Sequence, residues 1–94
     1  MSIIKDKIPV VEMLAGLAEE ATELAQAALK LRRCYDQTNP TPADPDRQYE
    51  CLLEEIGDVE LYLDNLCINR AVISDYKQMK QERWEQRLLK GERR

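Results

Sequence analysis

The chain has 94 residues, of which 44% are hydrophobic and 34% are charged, and its net charge is −4. This length suits one small domain with one core, so residues 1–94 are expected to form a single domain. The acidic balance argues against binding of a nucleic-acid polymer, and no apolar run approaches the roughly 20 residues that span a bilayer. The N-terminal segment has no apolar signal core, which favours a cytoplasmic protein without a membrane partner.

The sequence contains three cysteines and no histidine, which narrows the possible metal chemistry. Cys34, Cys51 and Cys67 are odd in number and show no CxxC spacing, so they predict neither a disulfide framework nor a zinc site. We interpret them as reduced thiols that mostly contribute to packing. Any metal ion in this protein must therefore be held by oxygen ligands.

The first predicted helix starts near Ile8, with Pro9 in its first turn, where the missing N–H costs nothing. It runs to about Tyr35. Its apolar residues recur at helical spacing, at Val10, Leu14, Leu17, Ala21, Leu24, Ala28 and Leu31.

A loop is predicted next, because the stretch 36–45 contains three prolines and several cap-forming residues. Asp44 is a good N-cap and Pro45 a good first residue for a second helix. That helix is expected to run to about Asn69. Its apolar stripe consists of Tyr49, Leu52, Leu53, Ile56, Val59, Leu63 and Leu66.

A third helix is predicted after a break near residues 70–74, with Ser74 as a cap and Gly91 as the stop after Lys90. Its apolar contacts come from Met79, Trp84 and Leu88. Its other side is basic, with Lys77, Lys80, Arg83, Arg87 and Lys90. The predicted fold is all-α: an antiparallel helical hairpin plus a third C-terminal helix. Because this leaves apolar surface uncovered, we expect a homodimer or homotetramer built as a four-helix-type bundle.

Two acidic motifs lie within the first two predicted helices, Glu-Glu-Ala-Thr-Glu at 19–23 and Glu-Glu-Ile-Gly-Asp at 54–58. Glu20 and Glu23, like Glu55 and Asp58, are three residues apart and so lie on one side of their helix. Four such carboxylates brought together would repel one another and raise each other's pKa. A divalent cation such as Mg²⁺, which prefers oxygen ligands, would relieve that repulsion.

Helical geometry predicts that the two motifs meet. At about 100° per residue, Glu20 and Glu55 each lie roughly 80° from the centre of their apolar stripe, in the same rotational sense. In an antiparallel hairpin both acidic pairs then project on one side, at heights that agree within roughly 3–4 Å. The competing interpretation is a solvated charged face, which is the usual role of charge runs. The agreement in both angle and height favours a metal site.

The pattern resembles the MazG-like nucleotide pyrophosphohydrolases of the all-α NTP pyrophosphatase superfamily. Residues 17–28, Leu-Ala-Glu-Glu-Ala-Thr-Glu-Leu-Ala-Gln-Ala-Ala, resemble the first motif of that family, and residues 53–59, Leu-Glu-Glu-Ile-Gly-Asp-Val, resemble the second. The loop segment 38–42 is similar to that of small phage-type or bacterial members. The resemblance covers nearly the whole chain, and it is the pairing of the motifs that makes it specific.

The resemblance implies Mg²⁺-dependent hydrolysis of a nucleoside triphosphate to a monophosphate and pyrophosphate, in a nucleotide-pool or house-cleaning role, with Mn²⁺ as a possible substitute ion. Matched by position, the implied metal ligands are Glu20, Glu23, Glu55 and Asp58. Glu19 and Glu20 are the implied catalytic acids, with Glu19 orienting the attacking water or serving as a further ligand. The basic third helix resembles the phosphate-facing segment of the family, with Lys80 and Arg83 as the main contacts and Lys77 as a further one.

The chain departs from larger family members in having no aromatic residue before Glu19. Base recognition is then either loose or supplied by the loop around Asn39 or by a partner subunit. Tyr62 and Asn65 lie near the acidic edge of the second helix and are candidates for lining the pocket. Trp84 is interpreted mainly as a packing residue, with stacking on a base as the alternative. The competing function is a non-catalytic helical-bundle interaction module or a nucleotide-binding module.

Overall fold

The computed structural model describes residues 3–37 and 44–91, and that part of the chain is all-α, with no strand. It contains four helices: α1 (Ile3–Lys7), α2 (Val10–Asp36), α3 (Pro45–Asn65) and α4 (Arg70–Leu89). The predicted fold class is therefore confirmed, although three helices were expected and α1 was not among them. No helix in the described ranges is both long and apolar enough to cross a membrane.

Helix α2 begins two residues later than predicted because Pro9 separates it from α1. Pro9 is extended, with φ −64° and ψ 155°, and acts as the N-terminal cap residue. Its carbonyl accepts hydrogen bonds from the backbone N–H groups of Glu12 and Met13, each at 3.0 Å. At the other end, Gln37 adopts the left-handed conformation with φ 57° and ends the helix.

The start of α3 is as predicted. The Asp44 carboxylate accepts a hydrogen bond from the backbone N–H of Asp46 at 3.0 Å, and Pro45 occupies the first turn. The preceding residues 38–43, including the predicted substrate contact Asn39, lie outside the described residues.

The predicted end of the second helix was wrong by four residues and the predicted cap of the third by five. Helix α3 ends at Asn65, and Cys67 has a left-handed φ of 55° that a continuing helix does not permit. The cap of α4 is Asn69, whose side-chain oxygen accepts from the N–H of Val72 at 3.1 Å. Ser74 instead lies inside the helix. Asparagine is among the best N-cap residues, and this local signal sets the corner.

Arg70 connects the two sides of the corner between α3 and α4. Its guanidinium donates to the carboxylates of Glu60 at 2.5 Å and Asp64 at 3.0 Å. These two hydrogen-bonded carboxylates raise the pKa of the Arg70 guanidinium, which stays charged. The corner therefore has both the N-terminal cap of Asn69 and the ion pairs of Arg70.

Helices α2 and α3 pack along one another as an antiparallel hairpin. The face of α2 that turns inward differs from the predicted stripe. The buried residues are Met13, Ala27 and Leu31, of which Leu31 alone belongs to the predicted stripe. Two further stripe members, Leu17 and Leu24, are half-buried. Val10 and Leu14 are 64% and 52% exposed. On α3 the same shift leaves three members of the predicted stripe exposed: Tyr49, Leu53 and Ile56.

This shift in the inward face changes where Glu20 and Glu55 lie relative to the contact between the helices. Glu20 lies two helical turns from both Met13 and Ala27 on α2, so it points within about 20° of their direction. Glu20 and Glu55 are therefore both part of the partly buried helix–helix contact. The prediction that they lie roughly 80° to one side was wrong, because the inward face of α2 is centred on the direction of Met13 and Ala27 and not on that of Leu14.

Gly16 of α2 lies directly against Tyr62 of α3. A Cβ placed on Gly16 would overlap the ring of Tyr62 on α3. The aromatic ring therefore occupies the space that any larger residue at position 16 would need. This contact holds α2 and α3 close together one helical turn from Glu20.

Helix α4 leaves the hairpin and shares little contact with it. The radius of gyration is 17.1 Å, whereas a closed domain of this length would have about 12 Å. The accessible surface is 7891 Å², against about 5600 Å² for a compact monomer of this mass. A single chain thus leaves much of its surface uncovered.

Candidate metal centre

Three carboxylates from the two acidic motifs meet between α2 and α3. Glu20 comes from α2, and Glu55 and Asp58 come from successive turns of α3. Each offers an oxygen atom, and these oxygens all lie within 4.8 Å of one another. Glu20 and Glu55 are half-buried and Asp58 is exposed, so the cluster opens to solvent on one side.

Glu55 holds the most unusual atom of the cluster. Its Oε2 is buried and has no hydrogen-bond partner within the described residues. An unpaired buried carboxylate oxygen is costly, because burial removes its water and nothing replaces it. A cation, or a proton on the carboxylate, would offset this cost.

The cluster raises the pKa of two of its members. Partial burial is the main cause for both Glu20 and Glu55, and the charge of Asp58 comes next. Glu23 contributes to both shifts, Glu19 to that of Glu20, and Glu54 to that of Glu55. All the charges that act on these two groups are negative, so the electrostatic potential at the site favours a cation.

The structure thus brings together three of the four predicted ligands. Glu23 is exposed and lies outside the group within 4.8 Å, although its charge acts on Glu20 and Glu55. Glu19 is also exposed and stands at the outer edge of the cluster. The structure brings the two motifs together as predicted, although the predicted angle of roughly 80° was wrong, and the roles of the individual acids stay predictions.

The predicted phosphate contacts do not join this cluster within one chain. Lys77, Lys80 and Arg83 are exposed on α4, and no lysine or arginine contributes to the pKa shifts of Glu20 and Glu55. Lys80 and Arg83 instead line a shallow hollow on α4 with Trp84 and Arg87. Trp84 is 50% exposed, so its predicted packing role is not fulfilled within the described part of the chain.

Asn65 and Tyr62 lie further along α3 and line a separate small cavity near α1. The amide of Asn65 donates to the backbone carbonyl of Leu61 at 2.9 Å. Sequence reasoning missed the other side of this cavity because α1 was not predicted. The available signal was the spacing of Ile4 and Ile8, apolar residues one helical turn apart just before Pro9.

The cysteines are free thiols, in agreement with the sequence. Cys34 and Cys51 are half-buried, as packing residues would be. Cys67 is exposed, so the packing interpretation fails for that residue.

Neither protein-family models, nor curated proteins, nor solved structures gave a match to this chain. The resemblance to MazG-like enzymes therefore depends on the two motifs and their geometry.

Proposed function

We propose that this protein hydrolyses nucleoside triphosphates to nucleoside monophosphates and pyrophosphate in a Mg²⁺-dependent reaction, as a cytoplasmic nucleotide-pool or house-cleaning enzyme. The observation that carries the proposal is the meeting of Glu20, Glu55 and Asp58, with a buried oxygen of Glu55 that has no protein partner. The donor set suits Mg²⁺ or Mn²⁺, because all its members are carboxylate oxygens.

Glu20, Glu55 and Asp58 are proposed as the inner ligands, and Glu23 completes the acidic set from one turn further along α2. Bound Mg²⁺ supplies Lewis-acid polarisation of phosphate oxygens and offsets the negative charge of the triphosphate. Without such an ion, the acidic cluster would repel a triphosphate. This makes metal dependence a requirement of the proposal.

The reaction itself adds water to the α-phosphorus and breaks the bond to the oxygen that bridges the α- and β-phosphates. Pyrophosphate leaves with the electron pair of that bond. A carboxylate beside the attacking water can accept its proton. We assign this to Glu20, and we assign the orientation of the water to Glu19 at the edge of the cluster.

Cations for the leaving pyrophosphate are proposed to come from α4 of another copy of the chain. Lys80 and Arg83, with Lys77 beside them, are exposed, and no lysine or arginine of the same chain acts on the pKa of Glu20 or Glu55. The surface in excess of a compact monomer is about 2300 Å², which is in the range that stable oligomer interfaces bury. A homodimer or homotetramer would cover this surface and place basic helices against acidic hairpins.

The second candidate function is an association module, or a nucleotide binder without turnover. The observation that favours it is the set of exposed large apolar residues on α4: Val72, Tyr76, Met79, Trp84, Leu88 and Leu89. The same surface serves the oligomer in the enzymatic proposal. Only turnover separates the two.

The test is incubation with the common ribo- and deoxynucleoside triphosphates and Mg²⁺, with measurement of pyrophosphate and monophosphate. Product release is expected for at least one nucleotide and is expected to stop when EDTA is added. Glu55→Gln should abolish it, whereas the neighbouring Glu54→Gln should not, because Glu54 lies outside the group of oxygens within 4.8 Å. No release from any nucleotide would contradict the enzymatic proposal in favour of the association module.

A further inference from the structure

Helix α4 has one face that is basic and apolar and an opposite face that is acidic and polar. At about 100° per residue, one half of its circumference contains all five basic residues and every large apolar residue except Leu89. All residues of α4 except the half-buried Ile73 are exposed, so nearly all of this basic face is uncovered within the described part of the chain. The opposite half contains three glutamines and the three acids Asp75, Glu82 and Glu85.

Helix α3 has an exposed face of the opposite charge. One half of its circumference faces α2 and contains all its half-buried residues except Leu63. The other half, the outer face of α3, contains no basic residue. Its five acids are Asp46, Glu50, Glu54, Glu60 and Asp64. Its exposed large apolar residues are Tyr49, Leu53, Ile56 and Leu61.

The outer face of α3 and the basic face of α4 match in length, charge and apolar content. Helix α3 has 21 residues and α4 has 20, so each is about 30 Å long. Both faces alternate apolar side chains with charges of a single sign. If the two faces pack together, cations meet carboxylates while apolar side chains lose contact with water. Complementary potentials of this kind select one partner and disfavour surfaces of like charge.

The outer face of α3 already accepts a cation from the start of α4 in its own chain. Arg70 forms ion pairs with Glu60 and Asp64, both on this face near the C-terminal end of α3. The rest of α4 leaves the hairpin, and no ion pair in the described ranges involves Glu50 or Glu54. The remaining length of the outer face is therefore open to α4 of another copy.

A second copy of the chain fits the basic face of α4 better than a nucleic acid or an anionic membrane does. The chain has a net charge of −4, and its acidic α3 would repel either polyanion. In a two-fold dimer each chain gives its α4 and receives that of the other, so both faces are covered and the assembly closes. The excess surface of about 2300 Å² is in the range that such an interface buries.

We propose that α4 of one copy docks along the outer face of α3 of a second copy, in a reciprocal dimer. The proposal rests on the oligomer of the function proposed above and names its interface, but it does not depend on turnover. Glu54, at the edge of the outer face, is one helical turn from Asp58. The docked helix therefore brings its cations to the edge of the acidic cluster, and the second copy supplies part of the site.

Charge reversal on each face of the full-length protein tests the contact. The α4 variant carries Lys80→Glu and Arg87→Glu, and the α3 variant carries Glu50→Lys and Glu54→Lys. Each variant alone places like charges against one another, so its dimer dissociation constant in sedimentation velocity should rise at least about 30-fold. In an equimolar mixture of the two variants, both reciprocal contacts again join opposite charges. The mixture should therefore dimerise as the wild type does.

The double substitution Glu82→Lys with Glu85→Lys is the matched control. It changes the net charge as much as the α3 variant does, but on the opposite face of α4, so it should dimerise as the wild type does. All six substituted positions are exposed, so the fold is expected to stay intact. Circular dichroism checks the helical content of every variant.

The outcomes separate the docking from the enzymatic proposal. Wild-type dimerisation by either single-face variant, or no recovery in a mixture of fully helical variants, would overturn the docking. A wild-type protein that is monomeric at micromolar concentration would overturn it as well, and turnover of triphosphates by that monomer would leave the enzyme standing. Recovery in the mixture, for a protein without any turnover, would support the docking and contradict the enzyme.

Discussion

The hairpin of α2 and α3 differs from helix α4 in how much of its surface is covered by other helices. The two hairpin helices pack against each other, and Glu20 and Glu55 lie half-buried in the contact between them. Helix α4 has no comparable partner among the described residues, and it keeps its large apolar side chains exposed. Charge follows the same division. Helix α3 carries seven acidic residues and one basic residue, a net charge of −6, whereas α4 carries five basic and three acidic residues, a net charge of +2.

This difference indicates which part of the proposed site one chain can form and which part needs a second chain. One chain is sufficient to assemble the acidic cluster, since both motifs belong to the same hairpin. One chain is not sufficient to bring cations to that cluster, because α4 leaves the hairpin at the corner where Arg70 forms ion pairs with Glu60 and Asp64. Under the proposed function, metal binding is a property of the single chain, and catalysis is a property of the oligomer.

The largest expected effect is on turnover. Asp58→Asn in the hairpin should lower kcat/KM by about 1000-fold, or roughly 4 kcal/mol, because metal-assisted charge stabilisation supplies several kcal/mol. Asp75→Asn on α4 removes the same charge from an exposed position and should leave kcat/KM within about twofold. Steady-state kinetics with Mg²⁺ measure both. Equal losses in the two variants would erase the proposed division between the hairpin and α4.

The second effect is on stability. Leu31→Ala should lower the free energy of unfolding by about 2–4 kcal/mol, because Leu31 is only 8% exposed within the hairpin. Gln81→Ala, at an exposed residue of α4 outside its set of exposed large apolar residues, should change it by less than about 0.5 kcal/mol. Urea denaturation at one fixed protein concentration compares the two. A larger loss from Gln81→Ala would mean that α4, and not the hairpin, contains the main core.

The third effect is on association. Trp84→Ala should weaken the oligomer by about 30-fold, or roughly 2 kcal/mol, because buried tryptophans commonly dominate interfaces. Gln86→Ala points about 160° away around α4 and should have little effect. Sedimentation velocity across a concentration series gives both dissociation constants. A wild-type protein that stays monomeric at micromolar concentration would contradict the proposed oligomer directly.

The smallest effect is on the pH dependence of stability without metal. The pKa values of Glu20 and Glu55 are raised by burial and by neighbouring carboxylates. Between the ordinary and the raised pKa, the folded protein binds more protons than the unfolded chain, so its stability falls as pH rises. In EDTA, Glu20→Gln should therefore gain stability relative to the wild type as pH increases from about 4 to 7.

Thermal unfolding of the two proteins across this pH range measures the difference. Added Mg²⁺ should stabilise the wild type at pH 7, because the ion binds the ionised carboxylates of the folded state alone. The opposite result is that, in EDTA, the wild type gains stability relative to Glu20→Gln as pH rises. That result would mean that these carboxylates are not close to one another in the folded protein.

Much of the fold was readable from the sequence because its signals are local. The cap at Asp44 and Pro45 and the stop at Gly91 come from residues that act on their own turn. The helix that ends near Tyr35 is equally marked by its spacing. The break between α3 and α4 was misplaced because Asn69 and Cys67 give weaker signals than a proline or glycine would.

The candidate site was predicted in outline and misjudged in detail. The three-residue spacing within each motif and the matching heights of the two motifs predicted that the acids meet, but the angle that placed them beside the contact depended on the wrong inward stripe. The inward face itself could not be read from apolar content, because Leu14 and Ile56 look like core residues and are exposed. Whether Glu23 joins the cluster depends on a rotation of a few tens of degrees, which only tertiary packing decides.

The contact of Gly16 with Tyr62 has a consequence for sequence evolution. The ring fills the volume next to position 16, so the two positions are not free to vary independently. A related chain that carries alanine or a larger residue at 16 should carry a smaller residue at 62, and a chain that keeps the aromatic ring should keep the glycine. Covariation of these two positions among related sequences would record the same packing that holds the hairpin closed beside its acids.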